Sequence, residues 1–322
     1  MTTPDFKPNI LMRGAMTQTF LASLKLRKRG PNAMVDAAQQ HIVDCRGGVR
    51  LLASYSRHPK SKGTVIFLHG WEGSQDSTYV TCCGRYLFDN GYSVFRLNYR
   101  DHGDSHHLNE GLFHGPQFDE VYDGVAYACG LHDEPSTIVG FSLGGNFALR
   151  VVRACIDNPI ENLENVFAVS PVINPLGTAQ IADSNRFVRR YFVKKWKRSL
   201  VKKQALYPHV YDFENILKFN RVHDLSEALL RAYFKNFTTS EDFYKAYALA
   251  PDDLATARTP HTIIFAKDDP VVPSTPAEAM TLGPRGQLVL LDHGGHNGFF
   301  DSVTGPTWYD RFILNALEQS HG

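Results

Sequence analysis

Five residues, Gly140-Phe141-Ser142-Leu143-Gly144, constrain this chain more than any other stretch. They follow a short β-branched run, Ser136-Thr137-Ile138-Val139, which reads as a buried parallel strand. The residues after them, Asn146 to Ala154, read as a helix. A G-x-S-x-G turn between strand and helix holds its serine in a sharp bend, with the hydroxyl presented at the end of a sheet. Glycine on either side lets strand and helix pass close to the bend. The pattern is short, so its weight depends on which residues follow it and in what order.

Read along the chain, the rest supports a mostly parallel sheet. His41 to Cys45 and Val49 to Tyr55, joined through Gly47-Gly48, read as an antiparallel hairpin. Strands are expected at Gly63–Leu68, Tyr92–Asn98, 136–140, Val166–Ser170, Thr262–Ala266 and Gln287–Leu291. Helices are expected at Thr78–Asn90, Asp119–Leu131 and Trp308–Glu318. Alternating strands and helices put helices on both faces of the sheet. The polar, glycine-rich stretches follow strands, at the carboxyl edge where open α/β sheets bind ligands.

Residues 1–40 read as an irregular N-terminal arm, with a short amphipathic piece from Phe20 to Arg29 stopped by Gly30-Pro31. Residues 41–171 and 259–322 form the α/β core, and 172–258 is far more chain than one crossover helix needs. That insertion reads as a helical cap. Arg186 to Lys203 holds nine Lys/Arg and no Asp/Glu, and Val188, Phe192, Trp196 and Leu200 recur every fourth residue. The stripe is expected to cover the site while the cations face water; the alternative is weak contact with a membrane surface.

Acyl transfer by a serine needs a base, an acid that orients the base, and donors for the oxyanion. After Ser142, Asp268-Asp269 follow the next-to-last strand and His296 follows the last. Asp269 is preferred to Asp268 because Asp269-Pro270-Val271-Val272-Pro273 matches the D-x-apolar-apolar-P loop. His296, in Gly294-Gly295-His296-Asn297-Gly298, is preferred to His293, which lies nearer the strand end. No acid follows the Val166–Ser170 strand directly; Asn174 is there instead. The backbone N–H groups of Leu143 and of Trp71, in the His69-Gly70-Trp71 turn, are the expected oxyanion donors. The histidines of Asp101–His107 and His114 match no metal-ligand template and are expected to line the rim of the site.

With these residues in place, the chain resembles the α/β-hydrolase superfamily over roughly residues 40–320, and within it the YheT-like family. The resemblance rests on Pro8 and Gln18-Thr19 in the arm, His69–Ser74, Asn98-Tyr99-Arg100, Gly140–Gly145, Asp268–Pro270 and Gly295-His296. Many members carry Asn-Gly-His before the Gln-Thr pair, where this chain has Arg13-Gly14-Ala15-Met16. The resemblance implies an α/β-hydrolase fold, with a mostly parallel sheet, an inserted helical cap and carboxylic-ester hydrolysis by Ser142, His296 and Asp269. The apolar stripe, read as a pocket wall, points to short- to medium-chain acyl groups. An acyltransferase, a membrane-associated lipid hydrolase and a non-catalytic binding protein are the alternatives.

Composition limits the remaining classes. Lys+Arg of 34 against Asp+Glu of 33 gives no overall charge to attract nucleic acid, and no nucleic-acid motif is present. Five cysteines without framework spacing are expected to be free thiols. The sequence shows neither a secretory signal nor a run long enough to span a membrane, so a cytoplasmic location is expected. The expected chemistry requires no cofactor or metal.

Overall fold

Eight strands form one sheet. The computed structural model describes residues 4–320. In chain order the elements are α1 (Ala15–Ala22), α2 (Ala33–Asp36), β1 (Ala38–Cys45), β2 (Val49–Ser56), β3 (Thr64–Leu68), α3 (Thr78–Asp89), β4 (Ser93–Leu97), α4 (Asp119–Cys129), β5 (Ser136–Phe141) and α5 (Leu143–Ala154). They continue with β6 (Leu163–Val169), α6 (Pro175–Ser184), α7 (Arg186–Leu206), α8 (Val222–Tyr233), α9 (Ser240–Lys245), β7 (His261–Ala266), α10 (Thr275–Glu278), β8 (Gly286–Leu291) and α11 (Trp308–Ser320). The strands pair in the order β1-β2-β4-β3-β5-β6-β7-β8; β1–β2 and β2–β4 are antiparallel, and every pairing from β4 through β3 to β8 is parallel.

Alternation along the strands divides the core into two layers. Ile66, Leu68 and Ile138 point to one face, under α4 and α5, with Val121, Val125, Phe147 and Leu149. Val65, Phe67, Val139 and Phe141 point to the other, under α3 and α11, with Val80, Leu87, Trp308 and Phe312. All five cysteines are free. Among the described residues no helix is long and apolar enough to cross a membrane.

Several boundaries shift by one to three residues from the sequence reading, and two differences bear on the site. α5 starts at Leu143, directly after the serine, rather than at Asn146. The arm is not irregular with one amphipathic piece at Phe20–Arg29. It forms α1, breaks at Ser23, and resumes as a 3-10 turn at Lys25–Lys28. The reason is that α1 buries a glutamine, Gln18, with Leu21 and Ala22, while Phe20 faces outward. Such a helix carries no continuous apolar stripe.

The segment between β6 and β7 carries α6 to α9, and one buried cation fastens it to the core. Lys203 of α7 is fully buried, with its ammonium 2.7 Å from Asp101 Oδ1, 2.5 Å from the Asn109 carbonyl and 3.2 Å from that of Gly111. Asp101 Oδ2 accepts the Phe113 N–H at 2.8 Å, so one carboxylate ties α7 to the loop before α4. Removing one partner of a buried ion pair strands the other charge. Lys203→Met is therefore expected to lower unfolding free energy by about 3–5 kcal/mol in urea titrations. Pairing it with Asp101→Asn should recover part of that loss, whereas a single substitution costing under about 1 kcal/mol would show that the pair fastens nothing.

Candidate active site

The bend after β5 is built by backbone contact. Ser142 sits at φ 56°, ψ −114°, a region L-residues seldom occupy, and Leu143 begins α5 at once. A Cβ on Gly144 would lie 2.0 Å from the Leu68 carbonyl oxygen, and one on Gly140 would lie 2.2 Å from that of Gly144. Strand β3, strand β5 and helix α5 therefore touch backbone to backbone around the serine. The Ser142 carbonyl accepts from both Asn146 N–H (3.0 Å) and Val172 N–H (3.2 Å), which fixes the bend from two sides.

The neighbouring strand ends supply the acid and the imidazole. Asp269 follows β7, and its Oδ2 is 2.8 Å from His296 Nδ1. Its other oxygen accepts the N–H groups of Val271 (2.8 Å) and Val272 (2.9 Å), so the buried carboxylate is held on both sides. Asp268 faces elsewhere. It accepts the Gly295 N–H at 2.9 Å and lies 3.5 Å from Nδ1 of the half-exposed His293. Asp269 and His296 thus meet directly, while Asp268 and His293 form a second pair that braces the same loop. Ser142 lies two strands from β7 at the same edge, and no hydrogen bond joins its Oγ to His296 at rest, a contact that substrate binding commonly tightens.

The loop carrying His296 rests on the N-terminal arm. Thr19 Oγ1 accepts the His296 N–H at 2.9 Å. Gln18, fully buried, accepts from Phe300 N–H (2.8 Å) and donates to the carbonyls of Phe300 and Met12 (each 2.9 Å). Gly295, at φ 54°, packs where a Cβ would come within 2.3 Å of the Ala15 carbonyl oxygen. On the far side Ser170 Oγ accepts the Asn297 N–H at 3.3 Å. The Gln18-Thr19 pair carries family resemblance, yet nothing in its residue types announces that it touches the histidine loop 277 residues later.

The turn after β3 is the other wall. His69 is fully buried; Tyr99 N–H points at its Nε2 (3.4 Å), so its Nδ1 donates to the Gly70 carbonyl (2.8 Å). Burial, then the neighbouring His102, hold its pKa well below the ordinary range. Gly70 N–H donates to the Tyr79 hydroxyl, and a Cβ on Gly70 would lie 3.3 Å from Ser142 Cβ. Trp71 and Leu143 both line the space beside Ser142, and among the described residues neither N–H donates to a protein acceptor. Burial pushes the adjoining Glu72 carboxyl up to about 8, against the pull of Lys195 and Arg198.

That space is an apolar cavity of about 860 Å³ including its mouth, walled by Trp71, Phe192 and Trp196 above and by Phe234, Phe243 and Tyr247 farther in. Trp71 stacks on Phe192 at 5.4 Å and meets Trp196 edge-on at 4.9 Å. The stripe read from the sequence therefore does face the serine: Val188 and Leu200 are buried, and Phe192 and Trp196 line the cavity. The histidines after β4 are packed rather than gathered. Burial lowers His102 to about 4 and His106 to about 3, and His114 lines the cavity between Phe234 and Phe237. Among the described residues, no three His, Cys, Asp or Glu are placed to hold a metal ion.

The chain belongs to the alpha/beta hydrolase family, whose model matches residues 65–304. It is 25% identical to the proposed esterase YheT of Escherichia coli K12 over 262 residues, 76% of this chain and 74% of that protein. It is 23% identical to the proposed esterase slr0264 of Synechocystis over 335 residues, 94% of this chain and 89% of that protein. Among solved structures it is similar to the Pyrococcus furiosus esterase Pf2001, with a TM-score of 0.57 and 18% identity, covering 88% of this chain and 91% of that one.

The buried histidines make stability fall in acid. His102 and His106 stay neutral in the folded protein down to about 4 and 3, while in the unfolded chain they titrate near the ordinary 6.5. As pH falls below that value the unfolded state binds protons that the folded state refuses, so each group withdraws about 1.4 kcal/mol per pH unit. Urea midpoints measured from pH 7.5 to 5 should fall steadily, and less steeply in His106→Gln. An equal slope in that variant would show that His106 is not kept neutral.

Proposed function

We propose that this protein is a serine hydrolase of carboxylic esters, with helices α6 to α9 as a cap over its acyl site. The observation that carries this reading is the 2.8 Å bond from His296 Nδ1 to the doubly held Asp269, at the sheet edge where Ser142 occupies its strained bend. Ser142 Oγ attacks the ester carbonyl as His296 Nε2 takes its proton. Asp269 keeps Nδ1 protonated and stabilises the imidazolium. The N–H groups of Leu143 and Trp71 receive the oxyanion. Collapse of the tetrahedral adduct passes the proton to the leaving alcohol. Water, deprotonated by the same imidazole, then releases the acid and restores the serine. The apolar walls of the cavity suit a short- to medium-chain acyl group.

The test is a series of p-nitrophenyl esters from acetate to laurate. Ser142→Ala is expected to lower kcat by about 10⁴-fold or more and to abolish fluorophosphonate labelling. Asp269→Asn should cost about 10⁴-fold, and Asp268→Asn far less. Ester cleavage that survives Ser142→Ala would end the serine mechanism, and equal losses at Asp268 and Asp269 would reassign the acid. Thr19 acts here as a positioning residue. Thr19→Val leaves the His296 N–H unpartnered and should lower kcat about 10-fold with KM little changed, while Thr19→Ser restores it. An unaltered kcat in Thr19→Val would mean that the loop holds its place without the arm.

A further inference from the structure

Helix α7 has a second face. Arg186, Arg190, Lys194 and Arg198 stand at every fourth residue and form one line along the helix, all solvent-exposed. Among the described residues none of the four has a carboxylate partner, although several other cations of the segment do: Lys202 pairs with Asp104 and Lys203 with Asp101. Like charges four apart on a helix repel one another, so the line is a strip of positive charge in which only Arg198 is drawn to a carboxyl, that of Glu72. Beside it, Phe187 is 78% exposed and Tyr191 45%. The cations that look inward are spoken for: Lys195 donates to the Glu72 carbonyl at 3.1 Å and Arg189 to that of Asp183 at 3.0 Å.

The N-terminal arm repeats the pattern. Residues 1–40 hold six Lys/Arg against Asp5 and Asp36, with Lys7 paired to Asp5, in a chain whose formal net charge is only +1. On this arm Ile10, Leu11 and Phe20 are 77%, 85% and 66% exposed. Both segments fasten to the loop after β3. Lys28 Nζ donates to the Asp76 carbonyl at 2.7 Å and Thr78 Oγ1 to that of Ser23 at 3.4 Å, while α7 holds Glu72 and Trp71. The two strongly cationic segments of the chain, each with exposed large apolar side chains, therefore meet at the turn that walls the serine cavity.

We infer that α7 and the N-terminal arm form a docking surface for an anionic phospholipid bilayer, which sets the cavity beside the lipid. Cations next to exposed aromatic and aliphatic side chains match the two layers of a lipid interface, phosphate outside and acyl carbon just beneath. A nucleic acid or acidic protein would meet the cations but leave Phe187, Phe20 and Leu11 without a partner. The inference does not depend on ester hydrolysis, because binding is measured without turnover.

The experiment is co-sedimentation of the full chain with vesicles of phosphatidylcholine alone or with phosphatidylglycerol. Binding is expected only with the anionic lipid, and should be largely lost at about 0.5 M salt. Arg186→Glu with Arg190→Glu and Lys194→Glu should weaken it by about 100-fold or more. Phe187→Ser with Phe20→Ser should weaken it severalfold at every salt concentration. Thermal melts and fluorophosphonate labelling like those of the wild type establish that each variant is folded. Equal binding to both vesicle types, no binding to either, or no effect of charge reversal overturns the proposal. So does binding to duplex DNA or polyglutamate as tight as to anionic vesicles.

Discussion

The structure depends on a place where three backbones meet with only hydrogen between them. At Gly144 the nearest carbonyl oxygen is where no Cβ could sit, and Gly140 meets the start of α5 in the same way. Any larger side chain would push α5 off the sheet and relax the bend that presents Ser142. Everything else at the carboxyl edge is measured from this point. The Ser142 carbonyl anchors Val172 and so the exit from β6, and Gly70 packs against Ser142 Cβ from the β3 side. The strained backbone persists because neighbours on every side over-determine it.

Most of the frame was readable because its signals are local. Buried β-branched runs, glycine-rich strand ends and the motifs around Ser142, Asp269 and His296 each need only a window of sequence. Asp269 could be preferred to Asp268 from its loop pattern, and the geometry adds the reason: two backbone N–H groups close on Asp269, while Asp268 serves the Gly295 N–H. What was not readable lies in contacts between distant polar groups. α1 buries Gln18 rather than an apolar residue, so periodicity misplaced the helix. Thr19 and Ser170 hold the histidine loop through single hydrogen bonds whose partners are set by topology alone. Lys203 looked like one more surface cation until Asp101 and three carbonyls were found around it.

Helix α7 shows how one element can answer two solvents. Its apolar stripe is occupied with Trp71 and the cavity, and its last buried cation with the core. Arg186, Arg190, Lys194 and Arg198 stand outside both roles, exposed and, among the described residues, without a carboxylate within salt-bridge distance. A helix built this way couples the shape of the cavity beside Ser142 to whatever lies against its outer surface.

The arm carries a consequence for how the molecule comes into being. Thr19 waits for His296, Gln18 for Phe300, and the Pro4 carbonyl for the indole of Trp308, separations of 277, 282 and 304 residues. The arm is thus seated only by partners hundreds of residues away, and its native contacts close long loops of chain. Until β8 and α11 are in place the arm has no seat, and the histidine loop lacks its hydrogen bond to Thr19. The carboxyl edge of the sheet is therefore completed by contacts of high sequence separation, which form more slowly than local ones.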